Sequence, residues 1–234
     1  MHLKPRPLRS RARPDIPLRM SKQIQLASRP NTPVVLWIVA LTCLPEVVLT
    51  ILGTDLLGQT DLRRLALIYM GFWNGLLGDL TGVYPLQREV MFISYAFLHS
   101  GFLHLIGNMI AVLGLGGIVV ARIGERGFLL LYALCTLGGA AGFALLSTST
   151  GPMIGASGAV FGLIGAWKFW EWQARRAANA PMRPLWMSLV GLTLLNLILW
   201  VALSGLLAWE AHLGGFIIGV LFAAIVTPSM RHRI

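Results

Sequence analysis

Three short motifs combine glycines with side chains that can do nucleophilic or acid–base chemistry. The stretch FLHSGFLHLIGN contains His99, His104 and Asn108, GASG contains Ser157, and EAHLGG contains His212. A serine hydroxyl becomes an effective nucleophile when a neutral imidazole accepts its proton during the attack. The residue types therefore predict a dyad in which Ser157 attacks a carbonyl carbon and His212 is its base.

The tetrahedral intermediate of such an attack requires hydrogen-bond donors that face its negatively charged oxygen. His104 and Asn108 are four residues apart and hence on one face of a helix. The backbone N–H of Ser157 is expected at a helix N-terminus, where it has no partner within the helix. We predict that these three groups form an oxyanion hole.

The acidic residues near these motifs do not complete a triad. Glu210 is two residues from His212 and falls on another helical face, and Glu46 has no motif around it. The chemistry predicted from the residues is therefore that of a Ser/His dyad, which needs no metal ion or other cofactor.

The elements that must position these residues are membrane helices. Of the 234 residues, 56% are hydrophobic and 12% are charged, whereas a soluble domain has about 25% charged residues. The mean hydropathy is +0.73, and the 26 glycines suit helices that pack closely through small residues. This composition excludes an ordinary soluble globule and predicts an all-α membrane protein.

About 20 apolar residues cross a bilayer core, and the sequence offers six such segments. The connection 53–100 contains one further apolar stretch, 65–77, which is too short to cross and is predicted to be interfacial or re-entrant. The three motifs lie at the starts of the second, fourth and sixth spans. The predicted spans are 34–52, 101–121, 127–146, 157–170, 185–207 and 211–227, within a membrane domain at 33–230.

The positive charge predicts an orientation. Residues 1–30 hold eight basic residues and one acid, so 1–32 is predicted to be a disordered basic tail beside the membrane. With a cytoplasmic N-terminus, sixteen of the nineteen basic residues fall on one side of the six spans. Both termini are therefore expected in the cytoplasm, and the three motifs near the external surface. The charge requires no nucleic-acid partner, and a bacterial inner membrane is favoured over an organelle.

Pairs of glycines predict how two of the spans approach each other. Gly158 and Gly162 form one small-xxx-small pair, and Gly215 and Gly219 form another. Two parallel helices that meet through these pairs would pack closely. Such packing would bring the serine and its base to similar depth.

Taken together, the three motifs resemble those of the rhomboid intramembrane serine proteases. The patterns HxxxxHxxxN, GxSG and AHxxGxxxG occur in that order, and the resemblance covers roughly 34–230. It implies a six-helix fold in which Ser157 is the nucleophile and His212 the general base, and an aromatic side chain, Phe161, that packs on the imidazole. It also implies that the substrate is a single-span or other transmembrane protein, cut near the external end of its helix. The supporting positions are His99, Gly155, Gly158, Phe161, Gly215 and Gly219.

Two features depart from the family, and two other functions remain as alternatives. The Trp-Arg pair common in the first long loop of the family is missing, and the region reads REVMFISY. After the second span, the Glu-containing helix end common in the family is replaced by ARIGERG. An inactive rhomboid-like protein that binds clients is the first alternative, although its usual mark is a lost serine or histidine. A transporter or a metal- or haem-binding bundle that uses the histidines is the second, but charged residues along a pathway and an inverted repeat are missing.

Three polar or reactive side chains inside apolar spans have simpler interpretations. Cys43 and Cys135 lack CxxC spacing and are predicted to be packing residues. Asn196, in the fifth span, is predicted to hydrogen-bond a neighbouring helix.

Overall fold

The computed structural model describes residues 32–52 and 62–226, and all its regular elements there are helices. Single turns of 3-10 helix occur at Asn74–Leu77 and Tyr95–Phe97. The predicted all-α fold is confirmed for this part of the chain, whereas 1–31 of the predicted basic tail lies outside it. The seven α-helices are α1 Pro33–Leu52, α2 Leu62–Met70, α3 Gln87–Ser94, α4 Phe102–Leu146, α5 Ser157–Ala177, α6 Arg183–Ala202 and α7 Trp209–Val226.

Four of these helices, α1, α4, α6 and α7, are long and apolar enough to cross a membrane by length and composition. Helix α4 has 45 residues, which at 1.5 Å per residue is about 68 Å if straight. A bilayer core is only about 30 Å thick. The helix is not straight, because Gly124 has non-helical angles of φ 76° and ψ 171°.

Contacts with α5 show that the chain reverses direction within α4. His104, in the first half of α4, lies against Gly155, just before α5. Gly139, in the second half, lies against Gly158, in the first turn of α5. The two halves therefore run past the same end of α5.

Helix α5 lies against α4 and α7, and the approach is close because small residues line the contact. A methyl group added at Gly215 would overlap the carbonyl of Gly158, and one added at Gly219 would overlap the carbonyl of Gly162. The predicted contact between the two small-xxx-small pairs is therefore present. Cys135 of α4 is buried against Gly162, as expected for a packing residue.

Two helices end at other residues than the predicted spans to which they correspond. Helix α5 continues to Ala177 rather than 170, because Glu171 accepts hydrogen bonds from Lys168 at 2.9 Å and Arg175 at 2.8 Å along one face. Helix α6 ends at Ala202 rather than 207. It stops there because the chain turns at Ser204 and Gly205, which both have positive φ.

The described part of the connection between α1 and α4, residues 62–101, contacts the motif-bearing end of α5. The predicted apolar stretch 65–77 is not one element, since α2 ends at Met70 and a 3-10 turn begins at Asn74. Between them, Phe72 pairs with Met153 through two backbone hydrogen bonds of 2.9 Å. Phe72 is fully buried and packs edge-on against the ring of Tyr95. This connection therefore holds the loop that leads into α5.

Candidate active site

Ser157 is the first residue of α5, and the backbone before it is tightly held. Gly155 has φ 120°, a conformation that favours glycine, and its N–H donates to the carbonyl of Tyr95 at 2.9 Å. A Cβ at Gly155 would lie 2.7 to 2.8 Å from ring atoms of His104. Glycine at this position thus lets the serine loop pass directly over the imidazole of His104.

His212 lies in the first turn of α7 and is buried. Its imidazole stacks on the ring of Phe161 with 4.1 Å between ring centroids and 6° between planes. Phe161 follows Ser157 by four residues, one turn along α5. The structure therefore brings the predicted base to the helix turn that begins with the predicted nucleophile. It shows no hydrogen bond between Ser157 and His212, both of which are described.

The other side of the His212 ring meets α6. Its Nδ1 lies 2.8 Å from Oδ1 of Asn196. The prediction that Asn196 bonds a neighbouring helix is confirmed, but its link to the site was missed. The sequence feature that could have identified this link is a single amide side chain in an apolar span, since such residues usually have a partner inside the bundle.

His104 and Asn108 both face the loop before Ser157. A hydroxyl partner, Ser100 Oγ, lies 3.1 Å from His104 Nδ1, and the Nε2 edge of His104 lies against Gly155. Asn108 is buried, and its Nδ2 has no hydrogen-bond partner in the part of the chain that the structure describes. An unsatisfied buried donor is costly, and this one lies beside the predicted site of the oxyanion.

His99 also contacts the loop before Ser157. Its ring is buried and lies edge-on to that of His104, with centroids 4.9 Å apart. The N–H of Ala156 donates to His99 Nε2 at 3.4 Å. Burial, followed by the neighbouring His104, lowers the pKa of His99 to about 3. His99 is therefore neutral at pH 7 and can accept this hydrogen bond.

An ion pair beside this histidine was missed by the sequence analysis. Arg63 of α2 donates to both carboxylate oxygens of Glu46, at 2.8 and 3.2 Å, and to the backbone carbonyl of His99 at 3.0 Å. Glu46 is buried within α1. An acidic residue in an apolar span requires a partner, so the position of Glu46 in the sequence could have predicted that a basic residue lies beside it.

Comparisons with known proteins indicate the family of the chain. Residues 87–229 match the family model described as Rhomboid domain, a range that contains all the candidate site residues. RHOMBOID-like protein 5 of Arabidopsis thaliana is 32% identical over 149 residues, 58% of this chain and 44% of that protein. Rhomboid protein 1, mitochondrial, of Saccharomyces cerevisiae is 28% identical over 158 residues, 62% of this chain and 44% of that protein.

A bacterial relative is matched over more of its length. An uncharacterized protein of Mycobacterium tuberculosis is 27% identical over 185 residues, 74% of this chain and 77% of that protein. The chain spans less than half the length of the plant and yeast relatives.

Proposed function

The chain belongs to the rhomboid family of membrane proteins, and from this premise we propose that it is an intramembrane serine endopeptidase. Ser157 is the nucleophile, and His212 is the general base and then the general acid. The substrate is a peptide bond in or near the external end of a transmembrane helix of another protein. The observation that carries the proposal is the stacking of His212 on Phe161, one helical turn from Ser157.

The proposed reaction proceeds through an acyl-enzyme. Nε2 of His212 accepts the Ser157 hydroxyl proton while Oγ forms a bond to the scissile carbonyl carbon. The C–N bond then breaks, and the imidazolium gives its proton to the leaving amine. A water molecule attacks the ester, its proton passes through His212 to Oγ, and the new carboxyl end leaves with the serine restored.

The oxyanion is proposed to bind beside Gly155. Asn108 Nδ2 supports this placement because it is a buried donor that lacks an acceptor among the described residues. The His104 side chain and the Ser157 N–H are the two further donors. Such donors act strongly because they are already oriented in a site of low polarity.

The Ser157–His212 hydrogen bond is proposed to form when substrate binds. Catalytic hydrogen bonds are often long without substrate and shorten in the complex. Phe161 and Asn196 contact the imidazole on different sides, so rotation of the Ser157 side chain is the simpler movement.

The proposed topology has six crossings. Helix α4 crosses twice, with its reversal at Gly124, and α5 crosses as a short span whose charged C-terminal part emerges from the apolar core. The membrane domain is 33–230, both termini are cytoplasmic, and 1–32 lies at anionic lipids. The bacterial inner membrane is the proposed location, and the active site opens to its external side.

Substrate segments are expected to contain residues that weaken a helix near the cut. A helical backbone is shielded by its own hydrogen bonds, so it must unwind before Ser157 can reach a carbonyl. Glycine and proline lower the cost of unwinding because they are the poorest helix formers.

The test is cleavage of a purified single-span substrate in liposomes. The wild-type chain should cleave, and Ser157→Ala and His212→Ala should be inactive. Ser188→Ala is the matched control, because Ser188 is also a hydroxyl in a membrane helix but donates only to Leu185 of its own helix. Cleavage by Ser157→Ala would refute the nucleophile, and tight binding without cleavage by the wild type would identify an inactive client-binding protein.

A further inference from the structure

We propose that Asn196 is a positioning residue that holds the imidazole of His212 in the tautomer and orientation needed for catalysis. The proposal rests on the proposed function, because it concerns how the base of that reaction is prepared. It adds a residue of α6 to a site otherwise built from α4, α5 and α7.

The hydrogen bond at 2.8 Å decides which ring nitrogen holds the proton. Oδ1 of the Asn196 amide only accepts hydrogen bonds, so Nδ1 of His212 carries the proton and donates it. In a neutral imidazole the other nitrogen, Nε2, then has the free lone pair. This is the nitrogen that must accept the Ser157 proton.

Stacking alone does not provide this control. The parallel contact with Phe161 sets the plane of the His212 ring, but a ring flipped by half a turn about its Cβ–Cγ bond would lie in the same plane and stack equally well. The bond to Asn196 distinguishes the two orientations, because only one of them brings Nδ1 to Oδ1. The two contacts are therefore complementary. Phe161 sets the plane of the imidazole, and Asn196 determines on which side of the ring Nδ1 lies.

The buried, apolar surroundings of the hydrogen bond between Asn196 and His212 increase the effect of losing it. His212 is buried, and Asn196 is partly buried in an otherwise apolar stretch of α6. Few water molecules compete with a hydrogen bond in such surroundings, so its loss leaves the imidazole without a replacement acceptor. Tautomers with the proton on Nε2 would then be populated, and they cannot act as the base.

The hydrogen bond also links catalysis to the position of α6. Leu185, near the start of α6, is its only buried residue in the described structure. Most apolar side chains of α6 are exposed. Displacement of α6 away from α7 would separate Asn196 from His212 and switch off the base without any change at Ser157.

The experiment compares three substitutions of Asn196 in the full chain, reconstituted with the single-span substrate. Asn196→Ala and Asn196→Leu remove the acceptor, and the leucine variant retains an apolar side chain that suits a membrane helix. Asn196→Asp keeps an acceptor and cannot donate when ionised. Thr193→Ala is the matched control, since Thr193 lies one turn earlier, is exposed and donates only to Leu189 of its own helix.

We expect kcat to fall about 10- to 100-fold in the alanine and leucine variants. This loss is smaller than most of the about 10²- to 10⁴-fold that acid–base catalysis contributes, because part of the imidazole population keeps the active tautomer. KM and the melting temperature should change little. The rate at which a small fluorophosphonate labels Ser157 should fall by a similar factor, because labelling also requires the base but no transmembrane substrate. Asn196→Asp should recover most of the rate at neutral pH, and Thr193→Ala should match the wild type.

Several outcomes would overturn the proposal. Unchanged kcat in both the alanine and leucine variants would show that the acceptor is dispensable. A change in KM alone would assign Asn196 to substrate binding, and failure of the aspartate variant to recover activity would refute donation from Nδ1. Failure of the proposed function is distinct, because then the wild type would not cleave or Ser157→Ala would still do so.

Discussion

The imidazole of His212 lies parallel to the ring of Phe161, with a centroid separation of 4.1 Å. This contact joins α7 to α5 at the turn that starts with Ser157. Phe161→Leu should lower kcat by about 10-fold, since an aromatic pair contributes about 0.5–1.5 kcal/mol beyond its buried area. Phe161→Tyr should retain the stacking and most of the activity.

A second aromatic residue of α5 provides the control for this prediction. Phe169 packs against Trp172 of the same helix, away from His212. Phe169→Leu should leave kcat unchanged in the liposome assay. Equal losses in the two leucine variants would mean that Phe161 acts only on helix stability.

Asn108 is expected to increase kcat while it lowers the stability of the folded protein. Asn108→Ala should reduce kcat about 10²- to 10³-fold, the loss seen when one oxyanion donor is removed. The same change removes a buried Nδ2 that lacks a partner among the described residues, so the melting temperature should stay the same or rise. Cleavage kinetics and thermal unfolding of one preparation measure both effects, and a large drop in melting temperature would contradict the prediction.

Gly215 is expected to be essential for the contact between α5 and α7. Gly215→Ala would force the new methyl group against the carbonyl of Gly158, and overpacking of this kind costs about 1–3 kcal/mol. Gly107→Ala is the control, because Gly107 lies in α4 with no atom within 4 Å of an added Cβ. Thermal unfolding in detergent should show a lower midpoint for the first variant, whereas the second should match or exceed the wild type.

Acid should destabilise the protein partly through His99. Burial lowers the pKa of His99 to about 3 in the folded state, from 6.5 when unfolded. Between these values the unfolded chain binds more protons, so the free energy of unfolding falls as the pH drops below about 6.5. His99→Gln, which keeps an acceptor for the Ala156 N–H, should show a shallower fall in unfolding midpoint between pH 6.5 and 4. Identical pH profiles for the two proteins would exclude this role.

The candidate site residues could be identified from the sequence because polar side chains are costly inside apolar segments. That cost singles out His104, Asn108 and His212 without any structure. The similar depth of Ser157 and His212 also follows from the sequence, since small-xxx-small pairs such as Gly215 and Gly219 allow few packing arrangements. These predictions depend only on local patterns along the chain.

The remaining features depend on contacts between distant segments. The pairings of Asn196 with His212 and of Arg63 with Glu46 join residues on different helices, and a single sequence does not identify partners across such separations. The sequence predicted a span at 157–170 but not the continuation of α5 to Ala177, where Glu171 pairs with Lys168 and Arg175.

The buried Glu46 also has a consequence for biogenesis. During synthesis its carboxylate enters the membrane region before Arg63, which follows it by 17 residues. Until α2 docks, that charge is uncompensated and α1 is held at the membrane only at considerable cost. We therefore expect stable insertion of α1 and docking of α2 beside His99 to be coupled, because Arg63 contacts both Glu46 and the carbonyl of His99.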